Sequence, residues 1–377
     1  MATGMKRKIL FVQTQAENGG AQEISRILGE KLAQRGHEVH HLFFYRKSET
    51  FVDLPNQEII CETRPNTPGT FISFLLSLRR AIKTLNPNAV FTFQHYGNVF
   101  GAPAAKAAGI ENIIANQVSA RELINPILRK ADAWLGRTNI YNRITVNSHD
   151  LMRDYQGLSE TYTSKLLHVP HGFEPKTSDL SKKAARKVFG LPENVTLLGT
   201  VARLNETKQI DRAIALLELE RDWHFAIAGQ GPDEGRLRTL IEDRGYVNRC
   251  HFLGEKNASE VADFLKSIDV FLFPTRAETF GLAGVEAANA GVPVVANKLP
   301  ILQEILAFNG KPAALFVDVE DPEVFHNATR SVLSDKTLRS SLVEIGSQLE
   351  DLYSLDAMTD VYEALAHDPL AQFEQRA

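Results

Sequence analysis

The chain alternates short apolar runs, glycine-bearing turns and amphipathic stretches, and it goes through that sequence twice, which confines it to α/β folds built on parallel sheets. Ile9, Leu10, Phe11 and Val12 lead into the turn Asn18-Gly19-Gly20-Ala21-Gln22. A helical period of Ile24, Ile27, Leu28 and Leu32 follows and is closed by Gly36. Further strands are expected at 39–45, 89–93, 113–115 and 144–146, with helices over 71–84 and 100–108. The pattern restarts at Thr196-Leu197-Leu198-Gly199-Thr200-Val201 and a helix carrying Ile210, Ile214 and Leu217. Strands at 224–228, 250–253 and 270–273 come next, with helices near 237–241 and 261–265. At 377 residues the chain exceeds what one core usually serves. Pro170, Gly172 and Pro175 interrupt the periodicity and mark a seam within 169–179. The expectation is two doubly wound domains, 1–170 and 171–354, with a ligand crevice at the carboxyl ends of their strands.

Composition excludes several classes. The apolar run at Ile9–Val12 is too short for a signal-peptide core, and no run approaches membrane-spanning length. Cys61 and Cys250 are the only cysteines, too few for a disulfide framework and without metal-ligand spacing, which places the chain in a cytoplasm. Charge is uneven: residues 1–170 carry 20 Lys and Arg against 14 Asp and Glu, whereas residues 171–377 carry 22 against 32. Either the halves face different partners or this is ordinary solvated surface.

The residues that suggest chemistry cluster at predicted strand ends. Glu278 and Glu286 bracket a strand-to-helix corner after residues 270–273, and two carboxylates there can address one ligand. The intervening Phe280, Gly281 and Leu282 put backbone N–H groups at a helix start, where the dipole favours a phosphate. The plain alternative is a capping acid and an exposed helical Glu. Arg203 and Lys208 flank the turn after residue 201 and can converge on a diphosphate, the Arg as a fork and the Lys as a point charge. Gly229-Gln230-Gly231-Pro232 ends another strand, and Gly19-Gly20 ends the first one, where paired glycines allow close backbone approach or serve only as a turn. No G-x-G-x-x-G follows a strand, which disfavours a nicotinamide dehydrogenase. No D-x-D triplet occurs, so a divalent ion held by such a motif is not expected.

Taken in order, these segments resemble the retaining glycosyltransferases of family 4, which have the GT-B architecture of two Rossmann-like domains facing each other across a deep crevice. VPHGFE is similar to the family's V-P-N-G-V-D, GTVARLNETKQID to its G-R-L-x-x-x-K-G turn, AGQGP to its G-x-G-P turn, and FPTRAETFGLAGVEAANAGVPVVAN to its Glu-x7-Glu segment. NGGAQ resembles its G-G-x-E loop, with Gln22 in place of Glu. The resemblance implies an N-terminal acceptor domain, onto which a helix at about 355–377 packs back, and a C-terminal donor domain. It implies that Arg203 and Lys208 hold the donor diphosphate, that Glu286 bonds the ribose, and that Glu278 contacts hydroxyls of the transferred sugar. Phe280, Gly281 and Leu282 would line the sugar–diphosphate junction, Gly19 and Gly20 would close over it, Gly229 and Gly231 would border it, and the base would sit near Leu253. Glu278, Arg203 and Lys208 are the catalytic candidates, with no cofactor and no metal required.

The family's histidine in the segment aligned with IIANQVSAR is absent here. Gln117, Ser119 or Arg121 stands in its place, or His95 approaches from the preceding strand; the other reading of His95 is a hydrogen-bonded loop residue. The stretch 71–83 and residues 121–143 mix Arg79, Arg80, Lys83, Arg129, Lys130 and Arg137 with bulky apolar side chains. Such helices either lie at an anionic membrane or are core helices with a basic edge. The resulting expectation is a transferase passing a hexosyl unit from a nucleoside diphosphate sugar to a glycan or lipid-linked acceptor in bacterial surface polysaccharide or lipopolysaccharide synthesis, with no nucleic-acid partner. An epimerase or hydrolase of the same architecture, or a nonenzymatic nucleotide-sugar binding protein, is the alternative.

Overall fold

The computed structural model describes residues 5–16, 20–47 and 54–373. The chain divides into two units, Met1–Gly172 with Ser354–Ala377, and Phe173–Tyr353. The first unit holds a parallel sheet of seven strands, β1 (Lys8–Ala16), β2 (Glu38–Arg46), β3 (Gln57–Cys61), β4 (Ala89–Phe93), β5 (Ile113–Gln117), β6 (Arg143–Val146) and β7 (Leu166–His168), in the order β3-β2-β1-β4-β5-β6-β7. The central strands are buried on both faces, which explains why their sequences read as continuous apolar runs.

The helix Pro68–Leu85 shows how local sequence sets an element. Thr67 caps it through the Thr70 N–H, Pro68 occupies the first turn, and Asn86 ends it in the left-handed region at φ 50°. Its buried residues Phe74, Leu78 and Ile82 recur every fourth position and face the sheet. The helix Leu355–His367 belongs to the same unit, with Tyr362 buried and its hydroxyl 2.6 Å from Asn116 Oδ1. Asn112 Nδ2 donates to Leu365 O at 2.8 Å, and Arg35 reaches Asp360 and Glu363 at 2.7 Å each.

The second unit has a six-stranded parallel sheet of β8 (Thr196–Val201), β9 (Trp223–Ala228), β10 (Cys250–Gly254), β11 (Val270–Phe273), β12 (Val294–Asn297) and β15 (Ala314–Val317), with the hairpin β13 (Ala307–Phe308) and β14 (Lys311–Pro312) apart from it. Strand order is β10-β9-β8-β11-β12-β15. Apolar clusters cover both faces, one around Phe264, Phe271 and Phe273 and the other around Phe225, Leu272 and Phe325.

In each sheet the winding reverses once, between β1 and β4 in the first unit and between β8 and β11 in the second. Reversal splays two neighbouring connections to opposite faces and leaves room for a ligand at the carboxyl edge. Strands β3, β7, β12 and β15 are additional to the expected set. The helix expected at 100–108 begins earlier, as a wide turn over Gly97–Gly101 that continues into Ala102–Ala107.

Candidate functional site

The reversal between β8 and β11 brings together two loops that lie about seventy residues apart in sequence. The Arg276 N–H donates to Thr207 O at 2.9 Å, and Thr275 Oγ1 reaches the same carbonyl at 3.2 Å. Asn297 Nδ2 in turn holds the Thr275 carbonyl at 3.0 Å. With the backbones tied, the Lys208 ammonium donates to Glu278 Oε1, and both side chains are mostly buried. Arg203, half-buried, projects from the same loop two residues past β8. Removal of these charges from bulk water strengthens their field at this edge of the sheet.

On the other side of Glu278 the chain turns through Gly281, whose φ of 83° is left-handed, and enters the helix Leu282–Asn289. Gly281 caps that helix without a side chain and the first turn holds no acidic residue, so the dipole and first-turn N–H groups there favour an anion. Phe280 is buried edge-on against Tyr353, with ring centroids 5.0 Å apart, and fixes the corner from below. Glu286 sits one turn into the helix and pairs with Lys176 Nζ at 3.3 Å. Lys176 is the site residue that sequence reasoning missed: a lone lysine in an irregular segment carries no pattern.

Gly229 and Gly231 are required by backbone approach. A Cβ on Gly229 would lie 1.9 Å from Ala202 O, and one on Gly231 would lie 2.1 Å from Leu204 O. Through this contact the Leu204 N–H donates to Gln230 O at 3.0 Å, so these glycines shape the Arg203 loop itself. Leu253, next to last in β10, is half-buried beside Phe252, over whose ring Arg238 lies 4.2 Å from the centroid. Gln230 Nε2 contacts Glu255 at the adjacent strand ends.

Candidates in the first unit fare unequally. Gly19 lies outside the described residues, and Gly20 is the exposed first residue of the helix Gly20–Gln34. His95 follows β4 at the winding reversal of its own sheet. Burial holds its imidazole below the ordinary range, and its Nδ1 has no hydrogen-bond partner among the described residues. Gln117, expected beside the sugar or acceptor, is instead buried, its amide donating to Asp132 at 2.8 Å and to the Tyr162 hydroxyl at 3.0 Å. That network satisfies a carboxyl group whose pKa burial raises, so Gln117 has a structural task. Arg121 donates to Asp154 O at 2.8 Å and covers the Tyr155 ring.

One cluster in the first unit has the composition of a metal site, with His37, Glu363 and His367 offering atoms within 4.8 Å of one another. Its hydrogen bonding opposes that use. The Arg7 N–H donates to His37 Nδ1 at 3.2 Å, which puts the imidazole proton on Nε2, where it donates to Glu363 at 3.0 Å. Arg7 Nε donates to His367 Nδ1 at 3.1 Å, and Arg35 shares the Glu363 carboxylate. The cluster is a hydrogen-bonded staple between the segment after the first helix and the last one.

Comparison with known proteins adds to this geometry. Residues 181–349, all in the second unit, match the family model described as glycosyl transferases group 1. The chain is 33% identical over 139 residues to the O-antigen biosynthesis glycosyltransferase WclY of Escherichia coli, covering 36% of this chain and 39% of that protein. It is 29% identical over 190 residues to the lipopolysaccharide core biosynthesis mannosyltransferase LpsB of Rhizobium meliloti (strain 1021), covering 46% and 54%. The aligned part thus spans about half the length, or less, of these curated relatives. The crystal structure of Anabaena HepE in complex with UDP and glucose superposes with a TM-score of 0.81 at 17% identity, over 96% of this chain and 99% of that one. The fold is therefore of GT-B type, with two Rossmann-like domains.

Proposed function

We propose that the chain is a retaining, metal-independent glycosyltransferase that moves a hexosyl unit from a nucleoside diphosphate sugar to a hydroxyl of a glycan or glycolipid acceptor in bacterial surface polysaccharide or lipopolysaccharide synthesis. The observation that carries this reading is the Lys208–Glu278 pair at the winding reversal of the second sheet, next to a helix start that no side chain caps. A diphosphate there would take the Lys208 ammonium, the Arg203 fork and the N–H groups of Leu282 and Ala283. Glu278, released from Lys208, would turn to the sugar hydroxyls, and Glu286 would meet the ribose. The names of WclY and LpsB, and the UDP bound by HepE, support the substrate class.

In the reaction the bond between the anomeric carbon and the β-phosphate oxygen breaks, and the acceptor oxygen bonds to the same face of that carbon. The acceptor proton passes to the departing phosphate. Fixed cations and helix N–H groups stabilise charge as it develops on the leaving group, the task a metal ion performs elsewhere. His95 would stand on the acceptor side. The first unit would lie against the inner face of the cytoplasmic membrane through its basic helices, with the protein otherwise cytoplasmic; among the described residues no helix is long and apolar enough to cross a membrane.

The test is thermal stabilisation of the purified protein by UDP, GDP and ADP, each with and without EDTA. A shift selective for one nucleotide and insensitive to EDTA is expected, with Arg203→Ala and Lys208→Ala abolishing it in variants that still melt cooperatively. Absence of any shift, or equal shifts in the variants, would overturn the assignment.

A further inference from the structure

We propose that Lys176 is a positioning residue of the donor site, which together with Glu286 reads a hydroxyl of the nucleotide ribose; this rests on the reading that the second unit takes a nucleoside diphosphate sugar. Lys176 lies outside every motif that pointed to that reading, in the irregular segment that opens the second unit. The segment is anchored on both sides of it. Upstream the Phe173 N–H donates to Tyr353 O at 3.2 Å, and downstream Ser178 Oγ reaches Asp263 Oδ1 at 2.5 Å on the helix Ala258–Ser267. Between these anchors the Lys176 side chain is only 12% exposed and ends 3.3 Å from a Glu286 carboxylate that is 13% exposed.

Such a pair is a poor device for stability alone. Ordering a long lysine stem costs rotamer entropy, and desolvating both charges offsets much of their attraction, so apolar residues of similar volume would hold the segment at least as well. The pair is, however, complementary to one chemical group. A hydroxyl both donates and accepts, so it can give its proton to the carboxylate and take an N–H from the ammonium, whose three donors are not all engaged by one carboxylate contact. Glu286 alone would sense only the donor side of a hydroxyl; with Lys176 the site senses both. A ribose hydroxyl placed there would be distinguished from a deoxyribose carbon that offers neither group, because the buried pair would then lose its bridging partner.

The experiment measures binding of the nucleoside diphosphate that stabilises the protein, and of its 2′-deoxy and 3′-deoxy counterparts, to the full chain and to K176M, K176Q and K176R, with melting curves for each. The unsubstituted protein is expected to prefer the ribonucleotide over at least one deoxy form by about tenfold or more, the range of a hydrogen bond to a charged group. K176M and K176Q should weaken ribonucleotide binding by a similar factor and leave that deoxynucleotide nearly unaffected, so their discrimination falls toward one; K176R should restore part of it. Discrimination unchanged in folded K176M or K176Q, or loss of the same size for every nucleotide, would overturn the role of Lys176 while leaving the proposed function intact. An unsubstituted protein that binds no nucleoside diphosphate would overturn both.

Discussion

Glu278 is held by Lys208, so the proposed transfer begins by exchanging that pair for contacts with phosphate and sugar. Glu278→Gln keeps the shape of the side chain and removes the charge that would face the sugar hydroxyls. It is expected to lower kcat by about a hundredfold or more, in the range seen for removal of one electrostatic contact to a transition state, with nucleotide affinity changed little. Steady-state kinetics beside a nucleotide titration checks this, and unchanged turnover would take Glu278 out of the site. Gly231→Ala has a different expected outcome. Its Cβ would lie 2.1 Å from the Leu204 carbonyl, so the Arg203 loop must move, and destabilisation of about 3 kcal/mol or more in denaturant titrations should accompany any loss of binding. The residues that carry these arguments were legible because strand ends with Arg, Lys, Glu and Gly form a pattern. Lys176 was not, since only the fold brings it to Glu286, and Gln117 was misplaced because a strand-end amide reads alike whether it faces a ligand or a buried carboxyl such as Asp132.

At the scale of elements, the strands that the sequence left unannounced share a physical cause. Strands β3 and β7 lie at sheet edges and carry polar residues such as Gln57, the exposed Glu58 and His168, so the continuous apolar signal of a doubly covered strand is missing; the edge strand β15 is apolar throughout but only four residues long. Strand β12 is buried, but Gly291 and Pro293 stand immediately before it and read as the end of the preceding helix. The basic helices of the first unit carry a prediction of their own. Pro68–Leu85 contains no acidic residue and exposes Ile72 and Leu76 alongside Arg80 and Lys83; Pro126–Gly136 has its one acid, Asp132, buried, and exposes Ile127 and Trp134 near Lys130. An anionic lipid surface complements that combination. Arg80→Glu with Lys83→Glu should reduce sedimentation with phosphatidylglycerol vesicles by at least about thirtyfold, at roughly 1 kcal/mol for each cation lost, and added salt should mimic the change. Equal sedimentation of the double variant and the unsubstituted protein would remove the membrane from the proposed function.

Across the whole molecule, the two units repeat one winding pattern but bury different titratable groups, and this separates their responses to acid. In the first unit, burial lowers the pKa of His171 to about 3 and that of His41 to about 3, with His40 nearby adding repulsion at His41. In the second unit the lowered histidines, His224 and His251, are more exposed and each is shifted first by burial. A group with a depressed folded pKa binds its proton more readily when unfolded, so its stabilising contribution is complete above the unfolded value near 6.5 and declines as pH falls toward the folded one. For His41 and His171 the decline approaches about 1.4 kcal/mol per pH unit each well below pH 6.5. The second unit has no histidine among the described residues whose pKa burial lowers to about 3. Between pH 7.5 and pH 5.0 the first unit should therefore lose protection before the second. Hydrogen exchange followed by mass spectrometry, corrected for intrinsic rates, should show protection falling in peptides from β1, β2 and β6 while peptides from β8, β9 and β11 hold theirs. His171→Gln should flatten that fall if the variant melts near the unsubstituted protein at pH 7.5. A parallel loss in both units would show that acid sensitivity resides elsewhere than in the buried imidazoles of the first unit, and a profile that His171→Gln leaves unchanged would take His171 out of it.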